Sequence, residues 1–271
     1  MKELLDQIGK SKIYDLAQPY FVGMPHYPTH PPFLYALTKK HGDLVGEGGV
    51  SSAADSIALG SHVGTHIDAL CHFSLDGKLH GGMDAGLVQS DAGGIREHSV
   101  DTIAPIVRRG VLLDIAGEMK MDALPTDFAI TPDHLDGAAQ AQHVEIQPGD
   151  VVLLRTGWAR FWGDPVRCIA GGSGAVPSGP GPRIEGARWL SIRGVFAAGS
   201  DTVGFEKLPA TASMPVHVHL LVESGIHIIE ALNLEELARD RVYEFVFVAA
   251  PLKIRGATGA PLRPIALAPL G

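Results

Sequence analysis

"DVVLLRTGW", residues 150–158, has no polar alternation between Val151 and Leu154 and stops at Gly157. A short run apolar on both faces reads as a buried strand. Four further runs read the same way: "VLLDIAG" (111–117), "GVFAAGSDT" (194–202), "GIHIIEAL" (225–232) and "YEFVFVAAPLKI" (243–254). Helix-like segments separate them. "TPDHLDGAAQAQH" opens with Thr131 as a cap and Pro132 in the first turn. "PRIEGARWLSIRG" stops at Gly194, and "SMPVHVHLLVESG" has Pro215 early and stops at Gly225. Strands alternating with helices predict an α/β chain. "AGGSGAVPSGPGP", residues 170–182, is too rich in glycine and proline to pack and reads as a surface loop that could serve as a lid. No other stretch resembles a linker, so residues 1–271 are expected to form a single domain.

Composition narrows the function classes. The 271 residues are 45% hydrophobic, enough for a sizeable core. Charge is 22 basic against 30 acidic, a net of -8 without long like-charge runs, which argues against a nucleic-acid partner. No apolar run approaches the ~20 residues a bilayer requires, and the N-terminus lacks a leader pattern, so no membrane partner and a cytoplasmic location are expected. With only Cys71 and Cys168, a metal would have to be held by histidine and carboxylate.

"LGSHVGTHIDALCHF", residues 59–73, supplies such ligands: His62, His66, Asp68 and His72. Val63, Gly64, Thr65 and Ile67 are poor helix formers, so the stretch is expected to be extended. A straight strand would hold His62 and Asp68 roughly 20 Å apart at ~3.3 Å per residue. To meet at one ion the chain must turn, and Gly64 is the residue that permits it. A lone histidine among apolar residues is more often a hydrogen-bonded core residue than a ligand. Several imidazoles with an aspartate, however, are costly to bury unless a cation compensates. Two histidines and a carboxylate are a common triad for zinc, manganese or iron. In "GIHIIEAL", Glu230 shares a strand face with Ile226 and Ile228, where a lone buried carboxylate needs a partner; His217 and His219 of "PVHVHLL" lie just upstream.

"HVGTHID" with His72 four residues beyond Asp68 resembles the His-x-Gly-Thr-His-x-Asp-x-Pro-x-His signature of the metal-dependent cyclase family, which includes bacterial kynurenine formamidases and isatin hydrolases. "GMPHYP", "GSDT" and "GIHIIEALNL" resemble further family segments. The resemblance implies a swivelling β/β/α domain, a mixed sheet flanked by helices, in a homo-oligomer (dimer or tetramer). It implies His62, His66 and Asp68 as ligands of a first divalent metal, zinc or manganese. Glu230 with His217 or His219 would complete a second or shared site, giving one or two ions per chain. His72 would be the catalytic acid/base and Tyr27 a substrate contact. Leu70 stands where the signature has proline.

These residue types suit hydrolysis. A divalent metal lowers the pKa of a bound water toward ~7 and polarises a carbonyl, and His72 could take up and return the proton. The expected activity is metal-dependent hydrolysis of an amide C–N bond in a small aromatic substrate, a strained lactam as in isatin hydrolases or, alternatively, an N-formyl group. Two rivals remain at this level. Cys71 could be a nucleophile, although neighbours in an extended chain point to opposite faces and would not share a proton with His72. A non-catalytic metal-binding protein would have no need of His72 beyond the ligands. Trp158, Phe161 and Trp162 are candidates either for core or for pocket lining.

Overall fold

The computed structural model describes residues 2–171, 176–211 and 213–269. Strands β1 (Ser11–Asp15), β2 (His66–Asp68), β3 (Ile106–Asp114), β4 (Val151–Arg155), β5 (Ala197–Ser200), β6 (His227–Glu230), β7 (Glu244–Ala249), β8 (Gly259–Pro261) and β9 (Ile265–Pro269) form one sheet. Their order across it is β1-β9-β7-β3-β4-β5-β6-β2-β8. β3 to β6 run parallel, and antiparallel strands extend the sheet on both sides. The mixed α/β sheet flanked by helices is the architecture the sequence implied.

The parallel strands are buried on both faces, which is why they read as unbroken apolar runs. On one face Val111, Leu113, Val152, Leu154, Ala198 and Ile228 pack under three helical segments. These are Pro132–Ala141, Ile184–Ile192, and Pro215–His217 continuing as a π-helical turn over Val218–Glu223. Thr131 caps its helix with Pro132 in the first turn, as the sequence predicted, and His134 completes a reciprocal capping box. On the other face Leu112, Leu153 and Ile229 meet Phe247, Ala260 and Ala266 from the outer strands. Each of the valine, leucine, isoleucine and phenylalanine side chains among them stabilises the fold by ~1.5–3 kcal/mol when fully buried.

The sheet curls until its ends are stitched together. Asn233 N, just beyond β6, donates to Leu16 O at 2.9 Å, and Gln18 N donates to Thr65 Oγ1 at 2.8 Å. Two boundaries differ from expectation. The run at 111–117 is the end of a longer strand beginning at Ile106, and Ile115–Glu118 is a helical turn because the Asp114 carboxylate accepts from Gly117 N at 2.9 Å. The run at 243–254 forms a strand only to Ala249. Residues 172–175 of the glycine-rich loop lie outside the described residues; Gly181 and Pro182 at its end pair with Ala129 and Ile130.

Candidate metal centre

β2 and β6 bring the ligand-grade residues together. They pair antiparallel with His66 directly opposite Glu230 and Asp68 opposite Ile228. The period of two puts His66 and Asp68 on one face while Ile67 enters the core on the other. Ahead of β2 the chain turns through Gly64 at φ +66°, where a Cβ would lie 2.4 Å from the Tyr20 ring. Tyr20 Oη secures the turn by donating to Val63 O and Thr65 O. The turn swings His62 back until its Nδ1 lies 2.7 Å from Asp68 Oδ1, with Nε2 2.8 Å from Thr258 Oγ1. Gly259 makes room for that ring, since a Cβ there would lie 2.6 Å from His62 Cε1.

His66 carries the chemical signal of the site. Its Nδ1 lies 2.8 Å from Gly64 O, a pure acceptor, so Nδ1 bears the proton and Nε2 of the neutral ring is a bare lone pair. Nε2 is fully buried without a hydrogen-bond partner and faces Asp68 Oδ1 and Glu230 Oε2, each 3.4 Å away. A lone pair confronting two carboxylates is stabilised only by a proton or a cation between them. Burial opposes charging this ring, but Asp68 and Glu230 outweigh it and hold its pKa above the ordinary value.

His217, at the start of the third helical segment, is placed by two glutamates. Its Nδ1 lies 2.7 Å from Glu206 Oε2 and its Nε2 3.2 Å from Glu230 Oε1. Burial disfavours its charged form, yet the bonds to Glu206 and Glu230 prevail and push its pKa up to about 10. Glu230 Oε1 also accepts from Phe205 N at 2.7 Å. His219 turns away: its Nδ1 is 2.6 Å from Glu223 Oε2 and its Nε2 2.8 Å from Ser191 Oγ. Of the two upstream histidines, His217 is therefore the one that meets Glu230.

The potential ligand atoms of His62, Asp68 and His72 lie within 4.8 Å of one another, as do those of Asp68, His217 and Glu230. Asp68 belongs to both groups, and with the orphaned His66 Nε2 3.4 Å from Asp68 and Glu230 the donor set fits a divalent cation. His72 is reached by a turn in which its N–H donates to Ala69 O at 2.9 Å, so the turn forms with Leu70 in place of proline. Its ring stacks on His62 at 3.7 Å between centroids, and burial pushes its pKa down to about 3.

A pocket of about 230 Å³ opens on this cluster beyond the carboxyl ends of β5 and β6, lined by Tyr27, His30, Phe73, Val203 and Met214 among others. Ligands of open α/β sheets characteristically bind at that end of the strands. His30, Glu206 and Thr258 were not singled out in the sequence. His30 lies three residues past Tyr27 between turn-forming prolines, and Glu206 follows "GSDT" by four, which are the only local signals they carry. Trp158 and Trp162 are buried and donate to Leu124 O and Pro19 O, so both act as core. Cys71 is also buried, and burial pushes its thiol up to about 12, which removes it as a nucleophile at neutral pH.

An α/β protein with a buried histidine and carboxylate centre under a small pocket is the class that the fold and site define. The model of the Cyclase family matches residues 14–207, and the chain belongs to that family. An isatin hydrolase of Roseibium aggregatum is 30% identical over 218 residues, 79% of this chain and 74% of the relative. A kynurenine formamidase of Bacillus cytotoxicus is 26% identical over 260 residues, 94% and 97% of the two chains. Among solved structures, a crystal structure of a novel cyclase superposes with a TM-score of 0.87 at 29% identity, covering 98% of this chain and 90% of that one. Isatin hydrolase A from Ralstonia solanacearum superposes with 0.75 at 26% identity, covering 98% and 96%.

Proposed function

We propose that the chain is a metal-dependent hydrolase that opens the amide C–N bond of a small aromatic substrate, in the manner of isatin hydrolases. The observation that carries this reading is the buried, unpartnered His66 Nε2 facing Asp68 and Glu230. His62, His66 and Asp68 would hold one divalent ion, zinc or manganese, and Asp68, His217 and Glu230 a second where two bind. When bound, such an ion supplies Lewis acidity and makes a nucleophilic water accessible at neutral pH.

The chain's own residues do the rest. Glu206 orients His217, and Thr258 with Asp68 fixes the His62 ring. His72 makes no side-chain hydrogen bond among the described residues, so its ring is free to take a proton from water. It would then return that proton to the leaving nitrogen. Tyr27 and Phe73 give the pocket aromatic walls. Its volume lies below the ~300–1,000 Å³ usual for drug-sized ligands, which favours a one- or two-ring substrate. Hydrolysis of an N-formyl arylamide is the second reading, supported by formamidase relatives that span nearly the whole chain.

We further propose a homo-oligomer, on the strength of an exposed apolar hairpin. Leu34, Tyr35, Leu37 and Ile57 stand out on Leu34–Lys39 and Ala54–Ala58 beside a groove of about 630 Å³ lined by Phe21, Val22 and Leu252. Two buried free cysteines suit work in the cytoplasm. Among the described residues no helix is long and apolar enough to cross a membrane. The deciding experiment combines elemental analysis of protein purified without chelator with a hydrolysis screen against isatin, N-formylkynurenine and related amides. One or two zinc or manganese ions per chain and turnover that chelation abolishes are expected. Full activity in metal-free protein would end this reading.

A further inference from the structure

The histidines around the pocket differ in how much the protein occupies them. His62 and His217 engage both ring nitrogens, and His66 engages Nδ1. His30 makes no side-chain hydrogen bond among the described residues. It is half-buried and lines the pocket, with its ring 5.3 Å from that of His62, 6.4 Å from that of His72 and 6.0 Å from that of Tyr27.

Its backbone is held firmly. His30 N donates to Tyr27 O at 2.9 Å, closing a turn that begins at Tyr27 and Pro28. Pro31 and Pro32 follow with fixed φ. Gly60 N donates to Pro31 O at 3.2 Å, and a Cβ at Gly60 would lie 2.9 Å from that oxygen, so the segment presses directly on the chain entering the His62 turn. An imidazole on a firmly held backbone, with its ring N–H left without a partner at a pocket wall, is placed to meet a ligand.

We infer that His30 is a specificity-determining residue: its ring N–H holds a second oxygen of the substrate, one beside the carbonyl under attack, and thereby selects aryl substrates with two adjacent carbonyls. The inference rests on the proposed hydrolase reading for what is attacked, but not for the contact itself. Selection follows because a substrate lacking that oxygen leaves the imidazole donor unsatisfied on burial.

The test uses a matched pair without a scissile C–N bond, indane-1,2-dione and 2-indanone, whose binding to the metal-loaded protein is measured by calorimetry. The native protein should prefer the dione by roughly tenfold, the worth of one hydrogen bond at a half-buried site. His30→Phe, which keeps a ring but no donor, should erase the preference with metal content unchanged. His30→Gln should restore part of it. Equal preference in His30→Phe, or none in the native protein, overturns the inference. Amide turnover is scored separately: a native protein that prefers the dione but hydrolyses no amide leaves the role of His30 standing and overturns the hydrolase reading. Turnover with a preference indifferent to His30→Phe does the reverse.

Discussion

At the scale of single residues, the proposed site divides groups that would hold a cation from a group that would move a proton. His66 has one nitrogen committed to Gly64 O and one aimed between two carboxylates, whereas the His72 ring has no hydrogen-bond partner among the described residues. His66→Ala should therefore lose metal and activity together. His72→Ala should keep most of its metal and lose ~10²–10⁴ in turnover; loss of the metal as well would make His72 a ligand. His217 adds a pH dependence. Its folded pKa of about 10 lies above the ~6.5 of an unfolded histidine. The folded state therefore binds this proton more tightly, and the stabilisation is complete below pH ~6.5 and lost as pH rises through about 10. Urea midpoints of the chelated protein should fall across that window, and His217→Gln should flatten the decline. Since a ligating imidazole must shed its proton, metal affinity should rise with pH over the same range, by up to ~tenfold per unit from this group.

At the scale of elements, the turn before β2 decides whether the ligands meet. Gly64 adopts a left-handed conformation against the Tyr20 ring, and a methyl group there is both strained and in collision. Gly64→Ala should cost at least ~2 kcal/mol in stability and lower metal affinity by displacing His62. Differential scanning calorimetry and metal titration would check both, and wild-type values in each would mean that the turn relaxes without moving His62. The π-helical continuation after His217 has a comparable role. Ile226 N donates to Leu220 O at 2.8 Å where the chain passes from the helix into β6, the strand that carries Glu230. His217 and Glu230 thus belong to one short helix-to-strand connection.

At the scale of the whole molecule, chelation should lower the melting temperature, because a ligand bound only by the folded state stabilises it by mass action. An unchanged melting curve would argue for weak binding. Light scattering should report more than one chain per particle, and charged substitutions at Leu34 and Ile57 should shift it toward the monomer. A native protein that scatters as a monomer at micromolar concentration would remove the oligomer from the proposal.

Periodicity and composition were enough to read the buried strands at the centre of the fold, because strands buried on both faces must be apolar throughout. The same physics made Glu230 conspicuous: a carboxylate on an inward strand face must find a partner. The clustering of His62, His66 and Asp68 likewise raised the expectation of a cation, and Gly64 that of the turn found there. The short outer strands β1, β8 and β9 escaped notice, since Gly259–Pro261 and Ile265–Pro269 carry prolines and little alternation. Only the tertiary structure selected His217 over His219, because neighbouring helix faces are equivalent until Glu206 and Ser191 claim one ring each. It also brought His30 to the pocket and Thr258 to the His62 ring from opposite ends of the chain. Such contacts depend on how the sheet curls and its ends meet, a property of long-range packing that no local pattern encodes.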